Sequence, residues 1–374
     1  NARVEDPGEE PRIHAEIYHE LQEHFHHHPM GFPKTESGVE LRILQRLFSE
    51  QEAQVALGLR PQSESPQEIA TRLKADANQI EAFLDRMSHH GLIYREGDRG
   101  GRKYGLLPYM SGSNKFQMKV LGNHEHAEDG ESYLPALLKE IATSRTHNRQ
   151  ITLVEDNLPV DVEATPWEQA SEIVKQSDTI ALCACRCRAG QKLLGKGCSQ
   201  PIDDICLVFS PFADYCLEND LGREITYNEA MKSITRGESA GLVRITLNVQ
   251  QNPTTMCQCC SCCCAWMQAI ETMDFATEVM PRSSYQAASD MEMCNGCEAC
   301  LTVCPTKAIT MSKDEKAVVN ISRCLGCGLC VSECPVESLA LHKKAEIVLP
   351  PATWDDLLVA LAQEKGRPYF YPRT

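Results

Sequence analysis

The sequence lacks any apolar run that approaches the roughly 18 residues that indicate a membrane-spanning helix. It also lacks an excess of basic charge: 37 lysines and arginines stand against 52 aspartates and glutamates, which gives a net charge of −15. Such an acidic chain has no general attraction to nucleic acid or to anionic lipid. No secretory signal is recognisable at its start. These absences predict a protein that works in aqueous solution and does not depend on a membrane.

Nucleotide-binding and hydrolytic motifs are missing as well. No Gly-x-Gly-x-x-Gly follows a predicted strand, because the glycines at 97–101 fall in a predicted hairpin loop, and there is no Walker loop. Neither a Ser/His/Asp arrangement nor a pair of carboxylates can be argued from spacing. The sequence therefore predicts no catalytic residue, and we do not expect this chain alone to take hydride from a nicotinamide.

Cysteine, in contrast, is abundant, at 20 of the 374 residues. Eight of the cysteines form two copies of the spacing Cys-x2-Cys-x2-Cys-x3-Cys-Pro, at 294–305 and 324–335. In this spacing, three thiolates bind one [4Fe–4S] cluster and the fourth binds the other cluster. The first predicted ligand set is Cys294, Cys297, Cys300 and Cys334, and the second is Cys324, Cys327, Cys330 and Cys304. A pair of zinc sites is the alternative, but zinc is usually held by two separated pairs of ligands.

The stretch at about 290–345 resembles the bacterial two-cluster ferredoxins, through these two motifs. The resemblance implies a domain that carries electrons at low potential. Gly296, Gly326 and Gly328 are expected to take positive φ and to direct backbone N–H groups at cluster sulfurs. Because the cysteines are assigned to metal rather than to disulfides, we also expect a reducing, cytoplasmic location.

Twelve more cysteines lie between 183 and 264 and follow no fixed motif. Six of them fall within 257–264, and an extended segment would place alternate side chains on two faces. This alternation groups Cys257, Cys259 and Cys263 against Cys260, Cys262 and Cys264, and the candidates that complete both groups are Cys183, Cys185, Cys198 and Cys206. We expect one or two further [4Fe–4S] clusters here. A structural zinc ion, a redox-active thiol pair and a non-cubane cluster are the alternatives.

Three other residues of this region have less defined roles. Cys216 lies in a predicted helix and is expected to be a buried core thiol. Cys187 is either spare or a substitute for a neighbouring ligand. Arg186 is either a cation that offsets the charge of a cluster or an ordinary surface arginine.

The pattern of elements predicts an α+β, multidomain chain. Its expected parts are an N-terminal helix and linker (1–35), a winged helix-turn-helix domain (36–110), a central cysteine-rich α/β region (111–285), a bacterial-type two-[4Fe–4S] ferredoxin domain (286–345) and a C-terminal helix and tail (346–374). The winged-helix elements are expected as helices at 37–48, from Ser65-Pro66 onward and at 77–89, and as a hairpin of 92–94 and 104–107. Further along, a helix is expected at 133–141, a strand at 151–154, a helix at 165–175, a strand at 179–182 and a helix from 353.

The predicted winged helix raises the question of DNA binding. In a DNA-binding winged helix, the base-reading side chains project from the third helix. Here that helix carries Gln79, Glu81, Asp85 and Arg86. The hairpin is more basic and carries Arg95, Arg99, Arg102 and Lys103. The third helix lacks the flanking basic residues that contacts with DNA phosphates require. We therefore expect this domain to bind a protein partner and consider binding to nucleic acid unfavoured.

Two further segments allow two interpretations each. His24 and the histidines at 26–28 form either a metal site or a polar helix end, and the second is favoured because adjacent histidines cannot share a helix face. The aromatic residues at 368–371 either pack on the protein's own core or anchor a partner.

The order of these parts resembles a group of 4Fe–4S ferredoxin-domain proteins from anaerobic bacteria, and the likeness includes the segment His28–Pro33. The resemblance implies electron transfer. We expect a subunit that relays electrons between a redox donor and a flavin- or metal-containing oxidoreductase. An enzyme with a catalytic central cluster and a redox-sensing winged-helix transcription regulator are the alternatives.

Overall fold

The computed structural model describes residues 10–97, 100–117, 124–153, 155, 165–272 and 283–368, with the backbone alone for 10–15, 111, 113, 114, 271 and 272. Outside these residues lie 98–99 of the predicted hairpin loop, the last residue of the strand predicted at 151–154, and the aromatic tail after Pro368. The chain divides into two compact units, Asn1–Ser144 with Leu361–Thr374, and Arg145–Ala360. In the described part of the chain, no helix is long and apolar enough to cross a membrane.

Helices dominate the first unit. Its elements are α1 (Glu10–His27), α2 (Val39–Leu47), α3 (Glu50–Ala56), α4 (Pro66–Leu73), α5 (Ala77–His89), β1 (Tyr94–Glu96), β2 (Lys103–Gly105), α6 (Asn114–Phe116) and α7 (His124–Ile141). The strands β1 and β2 form an antiparallel hairpin. The three predicted helices and the hairpin are therefore present, although β1 begins at Tyr94 rather than at Leu92 and α7 begins well before the predicted start at Tyr133.

Capping boxes determine where two of these helices begin. The Ser65 hydroxyl accepts a hydrogen bond from the Glu68 N–H, and the Glu68 carboxylate accepts one from the Ser65 N–H, as the sequence predicts for α4. Ser49 and Glu52 form the same box at the start of α3, a helix that we did not predict. The signal was the Ser-x-x-Glu pattern at 49–52, and such an N-cap stabilises a helix by about 1 kcal/mol.

Aromatic rings fill the core of the first unit around Phe32. Its ring centroid lies 5.1 Å from that of Tyr109 and 4.8 Å from that of Tyr133. His28 is also buried, and its Nδ1 accepts a hydrogen bond from the Met30 N–H at 3.1 Å. Helix α1 ends at His27 with His24 and His26 also in its last turn, as expected for a polar helix end, whereas His28 just beyond it is buried.

An antiparallel sheet forms the centre of the second unit, with strand order β3-β7-β8-β5-β4-β6. The elements of this region are β3 (Arg149–Thr152), α8 (Ala170–Lys175), β4 (Ile180–Cys183), α9 (Arg186–Leu193), β5 (Cys206–Phe209), α10 (Phe212–Glu218), β6 (Gly222–Glu224), α11 (Tyr227–Ser239), β7 (Val243–Leu247), β8 (Thr255–Cys259) and α12 (Ala265–Thr272). Apolar side chains of α8 and α11, such as Ile173 and Ile234, pack with Leu182, Leu207 and Met256 of the sheet. Because every pairing in this sheet is antiparallel, the region is α+β and not the expected α/β arrangement.

The helix predicted at 165–175 is interrupted. A 3-10 turn (Pro166–Glu168) comes first, and α8 begins only at Ala170. The Glu168 carboxylate accepts a hydrogen bond from the Ser284 N–H at 2.6 Å. The predicted capping glutamate therefore binds the backbone near the start of the C-terminal part of this unit.

The C-terminal part of the second unit repeats one arrangement, in which a cysteine motif leads into a short helix and then a strand. Its elements are β9 (Tyr285–Ser289), α13 (Ala299–Val303), β10 (Ile309–Met311), β11 (Ala317–Val319), α14 (Leu329–Ser332) and β12 (Leu339–Lys343). Strand β9 pairs with β12, and β10 pairs with β11, both antiparallel. The last helix, α15 (Trp354–Glu364), begins at a Thr353 cap, close to its predicted start.

Candidate metal centres

Four thiols line a pocket of about 280 Å³ in the C-terminal part of the second unit. They are Cys294, Cys297, Cys300 and Cys334. The N–H groups of Ala317 and Ser338 donate hydrogen bonds to the sulfurs of Cys294 and Cys334, at 3.4 and 3.3 Å. The N–H groups of Ala317 and Gly296 hold the pKa of Cys294 below its ordinary value. The pocket thus favours thiolate at Cys294 before any metal is considered.

Four other thiols line a second pocket of about 360 Å³. They are Cys304, Cys324, Cys327 and Cys330. The Ala308 N–H donates to the Cys304 sulfur at 3.2 Å, and Ile309 forms part of the apolar wall. Burial raises the pKa of Cys327 to about 12 and also raises that of Cys330. These buried thiols are costly to ionise alone, and a bound metal supplies the compensating positive charge.

The two pockets exchange their fourth cysteines. Cys334 belongs to the second motif and lines the pocket of the first, while Cys304 belongs to the first motif and lines the pocket of the second. Gly296 and Gly326 have φ of +74° and +71°, as expected for the loops that precede the short helices. Four thiols, apolar walls and inward N–H donors suit a [4Fe–4S] cluster in each pocket.

Residues 293–338 match the family model of the 4Fe-4S dicluster domain. The second unit therefore contains a 4Fe–4S ferredoxin-like domain, and the chain is an iron–sulfur protein. Among curated proteins and solved structures, the comparisons return no match to the chain.

Upstream of the ferredoxin-like domain, four central cysteines form a compact group, named here the Cys198 set. Its members are Cys198, Cys260, Cys262 and Cys263, and all four sulfurs lie within 4.8 Å of one another. The Cys198 sulfur is 3.9 Å from that of Cys260 and 3.6 Å from that of Cys263, which is 3.8 Å from that of Cys262. Burial alone would raise the pKa of Cys198, but the Gln200 N–H and the neighbouring thiols hold it below its ordinary value.

Six further central cysteines form a looser network, named here the Cys264 set. Its members are Cys185, Cys187, Cys206, Cys257, Cys259 and Cys264. The Cys187 thiol is hydrogen-bonded to those of Cys185 and Cys264, and these contacts lower its pKa. The Cys259 thiol is hydrogen-bonded to those of Cys257 and Cys264, and these contacts raise its pKa. Cys206 and Cys257, on neighbouring strands, have sulfurs 3.9 Å apart.

The alternating grouping expected for 257–264 is wrong. Strand β8 ends at Cys259, and the chain then turns, with the Cys264 N–H donating to the Cys260 carbonyl. The turn moves Cys263 into the Cys198 set and Cys264 into the network with Cys257 and Cys259. Alternation requires extended backbone, so it fails where the strand ends.

The remaining predicted positions have varied outcomes. The Cys187 thiol contacts those of Cys185 and Cys264, two other members of the Cys264 set. Cys183 is buried on β4, opposite Cys206 of β5. Cys216 is a buried residue of α10, as expected for a core thiol.

Arg188 is the functional candidate that the sequence analysis missed. Its side chain is buried, and its Nε donates to the Cys260 sulfur at 3.4 Å. Its two terminal nitrogens donate to the carbonyls of Pro201 and Gln258, each at 2.8 Å. The expected charge-compensating role of Arg186 is thus better suited to Arg188, two residues later on α9. The signal was only the Arg-x-Arg pattern after Cys185, which does not reveal which arginine turns inward.

A cleft of about 850 Å³ separates the Cys198 set from the ferredoxin-like domain. Gly241 and Ser261 line one side, and Thr302, Cys304 and Glu333 line the other. Ser261 lies in the turn between Cys260 and Cys262, while Cys304 lines the second ferredoxin-like pocket. The turn that carries Cys260 and Cys262 therefore borders the same cleft as Cys304.

Proposed function

We propose that this protein is an electron-transfer subunit whose ferredoxin-like domain holds two [4Fe–4S] clusters. The exchange of Cys304 and Cys334 between the two pockets carries this proposal, because it is the arrangement that the paired motif requires. The ligands are the eight thiols that line those pockets. Each bound cluster supplies a one-electron redox couple.

The chain's own contribution to that couple is the environment of the sulfurs. N–H groups of Ala308, Ala317 and Ser338 donate to cysteine sulfurs, and such hydrogen bonds stabilise the more negative, reduced state. Apolar residues such as Ile309 and Leu339 limit the access of water. Together these features adjust the reduction potential of each cluster in a bacterial-type ferredoxin domain.

A third cluster in the Cys264 set would extend the electron path into the central region. This network offers more than the four thiols that a [4Fe–4S] cluster needs, and it is looser than the Cys198 set. Cys187, Cys257, Cys259 and Cys264 are the preferred ligands, because the Cys264 thiol contacts those of Cys187 and Cys259, and the Cys259 thiol contacts that of Cys257.

The partner in this proposal is a flavin- or metal-containing oxidoreductase of a reducing, anaerobic cytoplasm. Exposed apolar side chains lie within three residues of the motif cysteines: Met291 and Met293 are 44% and 51% exposed, and Ile321 is 52% exposed. Methionine and other apolar residues at such positions are typical of protein-binding surfaces. They favour docking of the partner where an electron has the shortest distance to travel.

The first unit would serve as a winged-helix docking module rather than a DNA reader. Two basic side chains of its hairpin are engaged internally, because Arg95 and Arg102 both pair with Asp85 of α5, at 3.5 and 2.6 Å. Tyr104 donates to the same carboxylate at 3.2 Å. These contacts reduce the charge available for phosphates.

The proposal is tested by purifying the full protein without oxygen and counting iron and acid-labile sulfide. We expect about 12 irons in cubane clusters per chain, four for each of three clusters, with EPR signals that appear on reduction. About eight irons would leave the two ferredoxin-like clusters and remove the third. Absence of reducible clusters would contradict the proposal.

The ligand assignment has its own variants. Cys304→Ser should remove or alter one ferredoxin-like cluster and Cys334→Ser the other, so that their EPR spectra lose different components. Cys216→Ser changes a buried thiol outside both sets and should leave the spectrum unchanged. Electron delivery is then measured as reoxidation of the reduced protein by a co-purifying flavoprotein, and failure of the intact protein to deliver electrons to any such partner would contradict the relay.

A further inference from the structure

We propose that the Cys198 set binds a single metal ion, zinc or iron, in a tetrahedron of four thiolates rather than a [4Fe–4S] cluster. A metal–sulfur distance of about 2.3 Å gives sulfur–sulfur edges of about 3.8 Å in a tetrahedron. Three of the six edges are 3.6, 3.8 and 3.9 Å, and the other three are no longer than 4.8 Å. The four sulfurs of Cys198, Cys260, Cys262 and Cys263 therefore already have the spacing of ligands around one ion.

The ferredoxin-like pockets provide an internal comparison. Within the described residues, the Cys198 set alone brings three or more candidate ligand atoms within 4.8 Å of one another, so the thiols of both ferredoxin-like pockets are spread more widely. In a cubane cluster each thiolate binds a different iron, and the sulfurs must stand farther apart than around a single ion. The same chain thus contains two different spacings, and they correspond to two kinds of metal site.

The surroundings of the Cys198 set suit a closed site with negative charge. Four thiolates around one divalent ion leave a net charge of −2, which is costly to bury without a counter-charge. Arg188 provides it, with its Nε 3.4 Å from the Cys260 sulfur. Among the described residues, the other two partners of Arg188 are the carbonyls of Pro201 and Gln258, so its anionic partner would be the thiolate set itself.

The proposed ion would join two separate parts of the chain. Cys198 lies in the loop after α9, and the other three ligands lie in the turn after β8. Four protein ligands leave no open position, which is typical of structural sites. The ion would hold these segments together beside the cleft that Ser261 shares with Cys304. This inference goes beyond the electron-transfer proposal and does not depend on it.

The decisive measurement is spectroscopy of the unmodified protein. If zinc is bound, X-ray absorption at the zinc edge should show four sulfur neighbours at about 2.3 Å and no iron neighbour. If iron is bound, Mössbauer spectra should contain a high-spin mononuclear component besides the clusters. Absence of both a four-sulfur zinc site and mononuclear iron would overturn the inference.

A variant gives a second, independent test. Cys198→Ser combined with Cys263→Ala should remove about one equivalent of zinc or iron per chain and no acid-labile sulfide. Loss of about four irons with four sulfides would assign a cubane cluster to this set and overturn the inference. Cys216→Ser is the matched control and should lose no metal. Cluster reduction measured by EPR reports on the electron-transfer proposal separately, since the loss of this ion leaves the ferredoxin-like ligands in place.

Discussion

At the scale of single residues, buried charge is the clearest guide to chemistry in this protein. A guanidinium group is costly to remove from water, yet Arg188 is 2% exposed and lies among thiols and carbonyls. Its Nε places a positive charge beside the Cys260 sulfur, where a metal held by several thiolates would need a counter-charge. Arg188 therefore supports metal binding at Cys260 without reference to any sequence motif.

His28 illustrates the opposite case, a titratable group kept neutral by its surroundings. Burial lowers the pKa of its imidazole from 6.5 to about 3, and the charges of Arg367 and Lys365 act in the same direction. The unfolded chain gains this proton below pH 6.5, whereas the folded chain does not gain it until about pH 3. Stability must therefore fall as the pH decreases below 6.5, by about 2 kcal/mol at pH 5 from this residue.

We accordingly expect His28 to remain neutral throughout pH 5–8 in the folded protein. Deuterium exchange at the imidazole C2 position, followed by mass spectrometry of the peptide, reports the protonation of each histidine. The same peptide measured in denaturant provides the control and should show an ordinary titration. A midpoint near 6.5 for His28 in the folded protein would contradict the burial argument.

At the scale of elements, loops that bring cysteines together depend on close backbone approach. Gly326 has φ of +71°, and a Cβ at this position would overlap the Tyr285 carbonyl oxygen and the Ser283 hydroxyl. The Ser283 hydroxyl donates to the Gly326 carbonyl at 2.8 Å, so the loop before α14 is fastened to the start of β9. The second ferredoxin-like pocket depends on this contact, because Cys324 and Cys327 flank the glycine.

Gly326→Ala should therefore displace the loop and remove one cluster. Iron and sulfide should each fall by about four per chain, and the EPR component that Cys304→Ser alters should be lost. Gly366→Ala is the matched control, since Gly366 also has positive φ, +62°, but an added Cβ meets nothing within 4 Å. That control should cost about 1 kcal/mol of backbone strain and leave the iron content unchanged. Full iron content in the Gly326 variant would show that the contact is dispensable.

At the scale of the whole molecule, charge opposes a role at DNA. The net charge is −15, and Arg95 and Arg102 of the hairpin in the first unit pair with Asp85. Lys103 remains exposed on β2. A single lysine that contacts a DNA phosphate releases few counterions from the duplex and therefore adds little to the affinity. A winged helix, if used for DNA, would need a broader basic surface than these residues provide.

We therefore expect no binding of duplex DNA at low ionic strength, in either the oxidised or the reduced protein. Fluorescence anisotropy with a labelled duplex measures this directly. Binding that weakens steeply with salt and changes on oxidation would favour the redox-sensing regulator instead. In that case Lys103→Glu should weaken binding, whereas the charge reversal Lys365→Glu, at the buried ion pair with Glu140, tests only folding.

The paired iron–sulfur motif could be read from the sequence alone, because a fixed spacing of thiols on a tight loop is local geometry. So could helices α4 and α5, whose caps and apolar periodicity are local as well. The grouping of the central cysteines, in contrast, depends on how distant parts of the chain pack together. Cys198 and Cys260 are separated by 62 positions and meet because β8 ends and the chain turns beside the loop after α9. No local spacing encodes such a meeting, and the direction in which Arg188 points depends on the same packing.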